Sequence, residues 1–169
     1  MRIGITFGVF DLLHLGHLVM LEQAKRRCDY LIVGLKADSA HAADGGLQPA
    51  QTVVERFIKL EGCQYVDEII PYESDDDILD MLQSLSVDVR FIGEEFRMID
   101  FPGKDYCIEE GIELVYMKRK HRFSSQSLRQ VVSRKESMRL QKVESDARSL
   151  SKSFHEEAAK SLYPLDESK

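Results

Sequence analysis

"TFGVFDLLHLGH", Thr6 to His17, places two histidines three residues apart around a glycine, immediately after an apolar run. Upstream, Ile3, Ile5 and Phe7 alternate at strand period; downstream, His17, Met20, Leu21, Ala24 and Cys28 recur at helical spacing. Beyond them "YLIVGL" (Tyr30 to Leu35) is continuously apolar, as strands buried on both faces are. The quoted stretch therefore sits where a strand becomes a helix inside a βαβ unit.

The alternation continues. Thr52 and Glu55 form a capping box, and Val54, Phe57 and Ile58 supply one apolar face for the helix they open. "DEIIPY" is a short strand ended by Pro71; Ile78, Leu79, Leu82 and Leu85 mark a helix; "VDVRFIG" and "IELVYM" are further strands. Strands alternating with helices predict an α/β fold, a parallel sheet covered by helices, with ligands bound at the carboxyl ends of the strands near the point where strand order reverses. "ADSAHAADGGLQP" (Ala37 to Pro49) carries Gly45, Gly46 and Pro49 without periodicity and reads as a loop at such a carboxyl end. From about Arg134 the strand signal stops. Val143, Ala147, Leu150, Phe154, Ala158 and Leu162 follow at spacings of three or four, which predicts one amphipathic helix packed on the domain or on a second subunit. The expected division is a domain over 1–133 and a helical tail over 134–169.

At 169 residues the chain is long enough for one domain with a real core. Its net charge of -6 gives no global attraction for nucleic acid or anionic lipid, so any anion site must be local. Cys28, Cys63 and Cys107 are odd in number and widely spaced, which argues against a disulfide framework and a structural zinc site and makes a reducing cytoplasm the expected setting. The N-terminus lacks a cleavage-site pattern, and no apolar run approaches the roughly 18 residues needed to cross a bilayer. Neither a signal peptide nor a membrane span is expected.

The opening motif is suited to phosphate. A helix start presents unpaired N–H groups and partial positive charge. His14 and His17 add imidazole donors, and Gly16 lets a ligand approach the backbone. Zinc is disfavoured there, because no third ligand is near and the familiar helical pair is spaced at four. His41, His121 and His155, each alone, read as structural. A second site follows "IELVYM": Lys118, Arg119, Lys120 and Arg122 precede Ser124 and Ser125 at a helix cap, ahead of Leu128, Val131 and Val132. It is either a phosphate-binding helix start or a solvated basic turn.

"GVFDLLHLGH" resembles the GxFDxxHxGH signature of the nucleotidyltransferase superfamily, and the chain is most similar to its glycerol-3-phosphate cytidylyltransferase group. The likeness runs from Met1 to about Val132 and includes "YVDEIIP" (Tyr65 to Pro71), "IGEEF" (Ile92 to Phe96) and "RKHRFSSQSLR" (Arg119 to Arg129). It implies a Rossmann-like three-layer fold and an enzyme that transfers CMP from CTP, with Mg²⁺, to a small phosphorylated alcohol. Glycerol-3-phosphate is the leading acceptor. ATP-using relatives, and a nucleotide-binding scaffold without turnover, are the alternatives. The resemblance assigns His14, His17 and Arg119 to catalysis. Gly8, Val9, Phe10, Asp11, Gly16, Glu94, Ser124 and Ser125 are assigned to the nucleotide. Asp11 orients the loop or a metal-bound water, or is a helix-proximal cap; Glu94 contacts the nucleotide region or is an exposed loop acid. The group's RYVDE arginine is Gln64 here, and the lysines of its second loop are absent. Lys36 is the substitute candidate for the acceptor phosphate, or a snorkelling surface lysine. A homodimer is also implied.

Overall fold

A computed structural model describes residues 1–38, 48–118 and 123–162. In chain order the elements are β1 (Ile3–Gly8), α1 (Leu15–Lys25), β2 (Tyr30–Lys36), α2 (Val53–Glu61), β3 (Glu68–Tyr72), α3 (Asp75–Ser84), β4 (Val89–Gly93), a 3₁₀ turn (Glu94–Phe96), α4 (Lys104–Glu109), β5 (Glu113–Met117) and α5 (Ser125–Leu162). The five strands form one parallel sheet in the order β3-β2-β1-β4-β5. The chain winds outward from β1 through β2 to β3, then returns to the other side of β1. Strand order thus reverses between β1 and β4, where Ile5 pairs with Arg90 and Thr6 with Phe91. This is the Rossmann-like α/β architecture expected.

Strand periodicity sends alternate side chains into two cores. On one side Leu31, Val33, Leu35, Val89 and Phe91 pack with Leu21 and Ala24 of α1 and Leu60 of α2. On the other, Ile5 and Ile32 pack with Ile78 and Leu82 of α3 and Cys107 of α4. Gly34 belongs to this packing: a Cβ there would lie 2.2 Å from Cδ1 of Phe7.

The elements depart from the sequence reading in three places. β3 runs through Pro71 to Tyr72 instead of ending at the proline; it is an edge strand, where a missing N–H is tolerated. The Thr52–Glu55 capping box is present and Phe57 packs on the core as expected, yet Val54 and Ile58 of the expected face are exposed, while Arg56 and Leu60 are buried. The 3₁₀ turn and α4 span three and six residues, too few to show a period.

Two compact units are formed, Met1–Ser125 and Gln126–Lys169. The tail is helical as expected, and α5 runs unbroken over 38 residues, passing through residue 134. Along it Val143, Leu150 and Phe154 are exposed. Among the described residues no helix is long and apolar enough to cross a membrane.

Candidate active site

The turn after β1 is strained. Phe10 and Leu12, neither of them glycine, have φ of 53° and 58° in the left-handed region, a conformation that persists only where its surroundings impose it. Three tethers do so. The Phe10 ring is buried in the core beside α1. The Leu12 N–H donates to Oε1 of Gln51 at 3.0 Å, and the Gln51 N–H donates to Oδ1 of Asp11 at 3.1 Å. The Ser125 hydroxyl donates to the Asp11 carbonyl at 2.7 Å. Asp11 is buried and orients the loop.

That turn delivers both histidines to the start of α1. His14 is the N-cap in extended conformation; its Nδ1 accepts from the Gly16 N–H at 3.1 Å, and Nδ1 of His17 accepts from the His14 N–H at 3.3 Å. The two imidazoles form a reciprocal capping box, a role usually filled by hydroxyl and carboxylate groups. Their rings stack at 3.8 Å with an interplanar angle of 20°, and the Phe10 ring lies 5.3 Å from His17. Because each Nδ1 is an acceptor, a neutral ring carries its proton on Nε2. In that form the proton of each ring is on the nitrogen away from the cap, beside a helix N-terminus, a chemistry suited to an anion.

A cavity of about 560 Å³ opens at the carboxyl ends of β1 and β4. Its walls include Gly8, Val9, Phe10, His14, Gly16, His17, Lys36, Ser124 and Ser125, so the structure brings most of the expected site residues together. Asp11 and Glu94 are placed otherwise. Glu94 clamps Arg97 through Oε1 at 2.8 Å and Oε2 at 3.1 Å, contacts that hold its carboxyl below the ordinary range, and it is Glu95 that reaches the wall. The Ser125 hydroxyl hydrogen is committed to the Asp11 carbonyl. Arg119, with Lys120, His121 and Arg122, lies outside the described residues; Lys118, just before them, lines the cavity.

Two arginines escaped the sequence reading. Arg56 is fully buried and ties the site together: Nη1 donates to the carbonyls of Val9 at 2.6 Å and Lys36 at 2.8 Å, Nε to that of Gln51 at 3.1 Å, and Nη2 to Asp38 at 2.6 Å. Arg90, on β4, is buried against the cavity. The signal for Arg90 was a charged residue inside the apolar strand "VRFIG"; for Arg56 it was the spacing of four to Leu60.

The family model described as cytidylyltransferase-like matches residues 5–145. The chain belongs to the cytidylyltransferase-like family. Among relatives of this cytidylyltransferase-like protein, glycerol-3-phosphate cytidylyltransferase of Bacillus spizizenii is 35% identical over 120 residues, covering 70% of this chain and 88% of the relative. The Bacillus subtilis protein of the same name is 30% identical over 132 residues, covering 78% and 98%. The bifunctional protein HldE of Acidiphilium cryptum is 42% identical over 96 residues, 56% of this chain; the cytidylyltransferase-like chain spans only 20% of that relative's length. A crystal structure of a lipopolysaccharide core biosynthesis protein from Thermoplasma volcanium shares the fold, with a TM-score of 0.59 at 24% identity over 73% of this chain and 99% of the other.

Proposed function

We propose that this chain is a cytidylyltransferase that moves CMP from CTP to a small phosphorylated alcohol, glycerol-3-phosphate being the leading acceptor. One observation carries the reading: two stacked imidazoles, capped through Nδ1, stand at a helix start on the cavity where strand order reverses. A phosphate oxygen of the acceptor attacks the α-phosphorus, a new P–O bond forms, the bond to the β-phosphate oxygen breaks, and pyrophosphate leaves. The acceptor phosphate is largely ionised near neutral pH, since its second pKa is about 6, so no general base is required. His14 and His17 stabilise charge building on the α-phosphate oxygens. Arg119 and Ser124 hold the departing β- and γ-phosphates.

Among the described residues no cluster of three or more His, Cys, Asp or Glu is placed to hold a metal ion. Mg²⁺ enters the proposal with CTP as co-substrate, to share the charge on the nucleotide's phosphates. CTP makes the cytoplasm the proposed setting. A homodimer is proposed from the family resemblance, and light scattering reads it.

The test is pyrophosphate release with CTP, ATP, GTP and UTP, each against a panel of phosphorylated alcohols and sugars. Turnover with CTP is the expected result. Turnover with ATP alone replaces the base and keeps the chemistry. Nucleotide binding without pyrophosphate release from any pair overturns the enzyme reading.

A further inference from the structure

Arg56 and Arg90 are both buried, but only Arg56 meets a carboxylate. Arg90 is 4% exposed. Its Nη1 donates to the Pro102 carbonyl at 2.6 Å and lies 4.0 Å from Sγ of Cys107. No acidic side chain among the described residues pairs with it, and its Nε is buried with no hydrogen-bond partner. Two rings flank the guanidinium, Phe7 with its centroid at 4.9 Å and Phe101 at 5.0 Å. Burial pulls its pKa below the ordinary guanidinium value, yet an arginine keeps its charge. Aromatic faces return only part of what an ion loses on leaving water, and an apolar side chain of the same size would suit an empty site at least as well. A retained, unpaired charge with a donor edge unused points to an oxyanion that arrives from outside.

Its position says which oxyanion. Arg90 contacts Cys107 of α4 and belongs to the α3 and α4 side of the sheet, whereas the histidines stand on α1, which covers the opposite side. The one cavity reaches both sides of the sheet end: Met20 and Gln23 of α1 line it, as do Ile78 of α3 and Phe101. A ligand whose phosphate reacts beside His14 and His17 can thus extend its other end to Arg90.

We propose that Arg90, flanked by Phe7 and Phe101, binds a second oxyanion of the acceptor, so that the preferred acceptor carries a carboxylate or a second phosphate besides the one that attacks. This rests on the cytidylyl-transfer reading and moves its leading acceptor from glycerol-3-phosphate to a doubly anionic relative. Glycerol-3-phosphate ends in an uncharged hydroxymethyl group; 3-phosphoglycerate carries a carboxylate at that place and is otherwise matched. On this inference the carboxylated partner is the better acceptor of the two.

The experiment compares kcat/KM for glycerol-3-phosphate, 3-phosphoglycerate and 1,3-propanediol bisphosphate, with the wild-type chain, R90M and R90K. Expected is a preference of about 30-fold or more for one of the doubly anionic acceptors, collapsing in R90M and partly kept in R90K, as for truncation of one partner of a buried charge pair. The winning acceptor tells carboxylate from phosphate. R90M removes an uncompensated charge and is expected to fold, which its melting temperature checks. R90K, which keeps the charge, gives the same comparison should R90M unfold. Equal or better use of glycerol-3-phosphate by the wild type overturns the proposal, as does a parallel loss with all acceptors that leaves their ratio unmoved. Should no acceptor release pyrophosphate, the transfer reading fails separately, and calorimetry with 3-phosphoglycerate and the bisphosphate decides the subsite. Binding that R90M loses upholds it, and no binding to the wild type sinks it.

Discussion

Replacing Arg56 by methionine removes the donor that joins the first turn, the end of β2 and the approach to α2. The carbonyls of Val9, Lys36 and Gln51 lose their partner, and Asp38 loses its ion pair. Hydrogen bonds to a charged group are each worth about 1.5–3 kcal/mol net. Summing four such bonds overstates the loss, because the Asp38 side chain is 41% exposed and its share is screened. Removing one member of a buried charged network costs about 3–5 kcal/mol, and that is the expected loss for R56M. With a urea m-value of roughly 2 kcal/mol/M the unfolding midpoint falls by about 2 M. R56K keeps the charge without the planar fork and should fall about half as far. Both variants should also lose turnover, because Val9 leads into the strained turn that positions the histidines. Urea titration followed by circular dichroism, alongside pyrophosphate release, makes the measurement. A midpoint for R56M within about 0.5 M of wild type refutes the network argument.

His14→Ala or His17→Ala should lower turnover by on the order of 10² or more, as for loss of other transition-state donors, with a stability cost of about 1 kcal/mol from the broken cap; near-normal pyrophosphate release would remove the assignment. Gly34→Val sets a Cβ 2.2 Å from the Phe7 ring, and the overpacking should cost about 1–3 kcal/mol, read as a lower melting temperature; an unchanged value shows that Phe7 moves freely. N–H groups of Glu73 and Ser74 hold the Asp77 carboxyl below its ordinary 3.8, and Thr52 holds Glu55 below 4.5. A depressed carboxylate contributes stability above its unfolded pKa and loses it as pH falls through the folded one, so stability should decline below about pH 4.5. Asp77→Ala should flatten that acid limb in a pH series of urea titrations, and an unaltered limb counts against the caps.

The β1–α1–β2 unit was legible because its signals agree: strand alternation, a turn at a glycine, helical spacing, then a fully apolar strand. The edge strand β3 was legible except for its end, since a proline stops a central strand but not an outer one. The face of α2 was legible at Phe57 and misread at Val54 and Ile58 for a physical reason. Hydrophobic patterning sends arginine outward, whereas this helix turns Arg56 inward to carbonyls of two distant segments and of its own approach, and leaves Val54 and Ile58 in solvent. Arg90 escaped for a similar reason, because a strand pattern records that a residue is charged but not that its partners are missing. The family resemblance set Glu94 at the nucleotide region or left it an exposed loop acid; Arg97 three residues on captures it, and the neighbouring acid Glu95 lines the cavity. The motif named the histidines but not their hydrogen-bond roles, which depend on the backbone of a loop with two left-handed residues.

The imidazole capping box ties architecture and proposed chemistry to the same two rings. Alanine at position 14 would remove an acceptor for the Gly16 amide and the proposed donor for the nucleotide together, so an inactive variant made that way is also a loosened one. Asparagine, a preferred residue at helix starts, supplies a short side-chain acceptor to that amide without the second ring nitrogen. His14→Asn is therefore the substitution of choice for trapping both substrates unreacted on an intact scaffold.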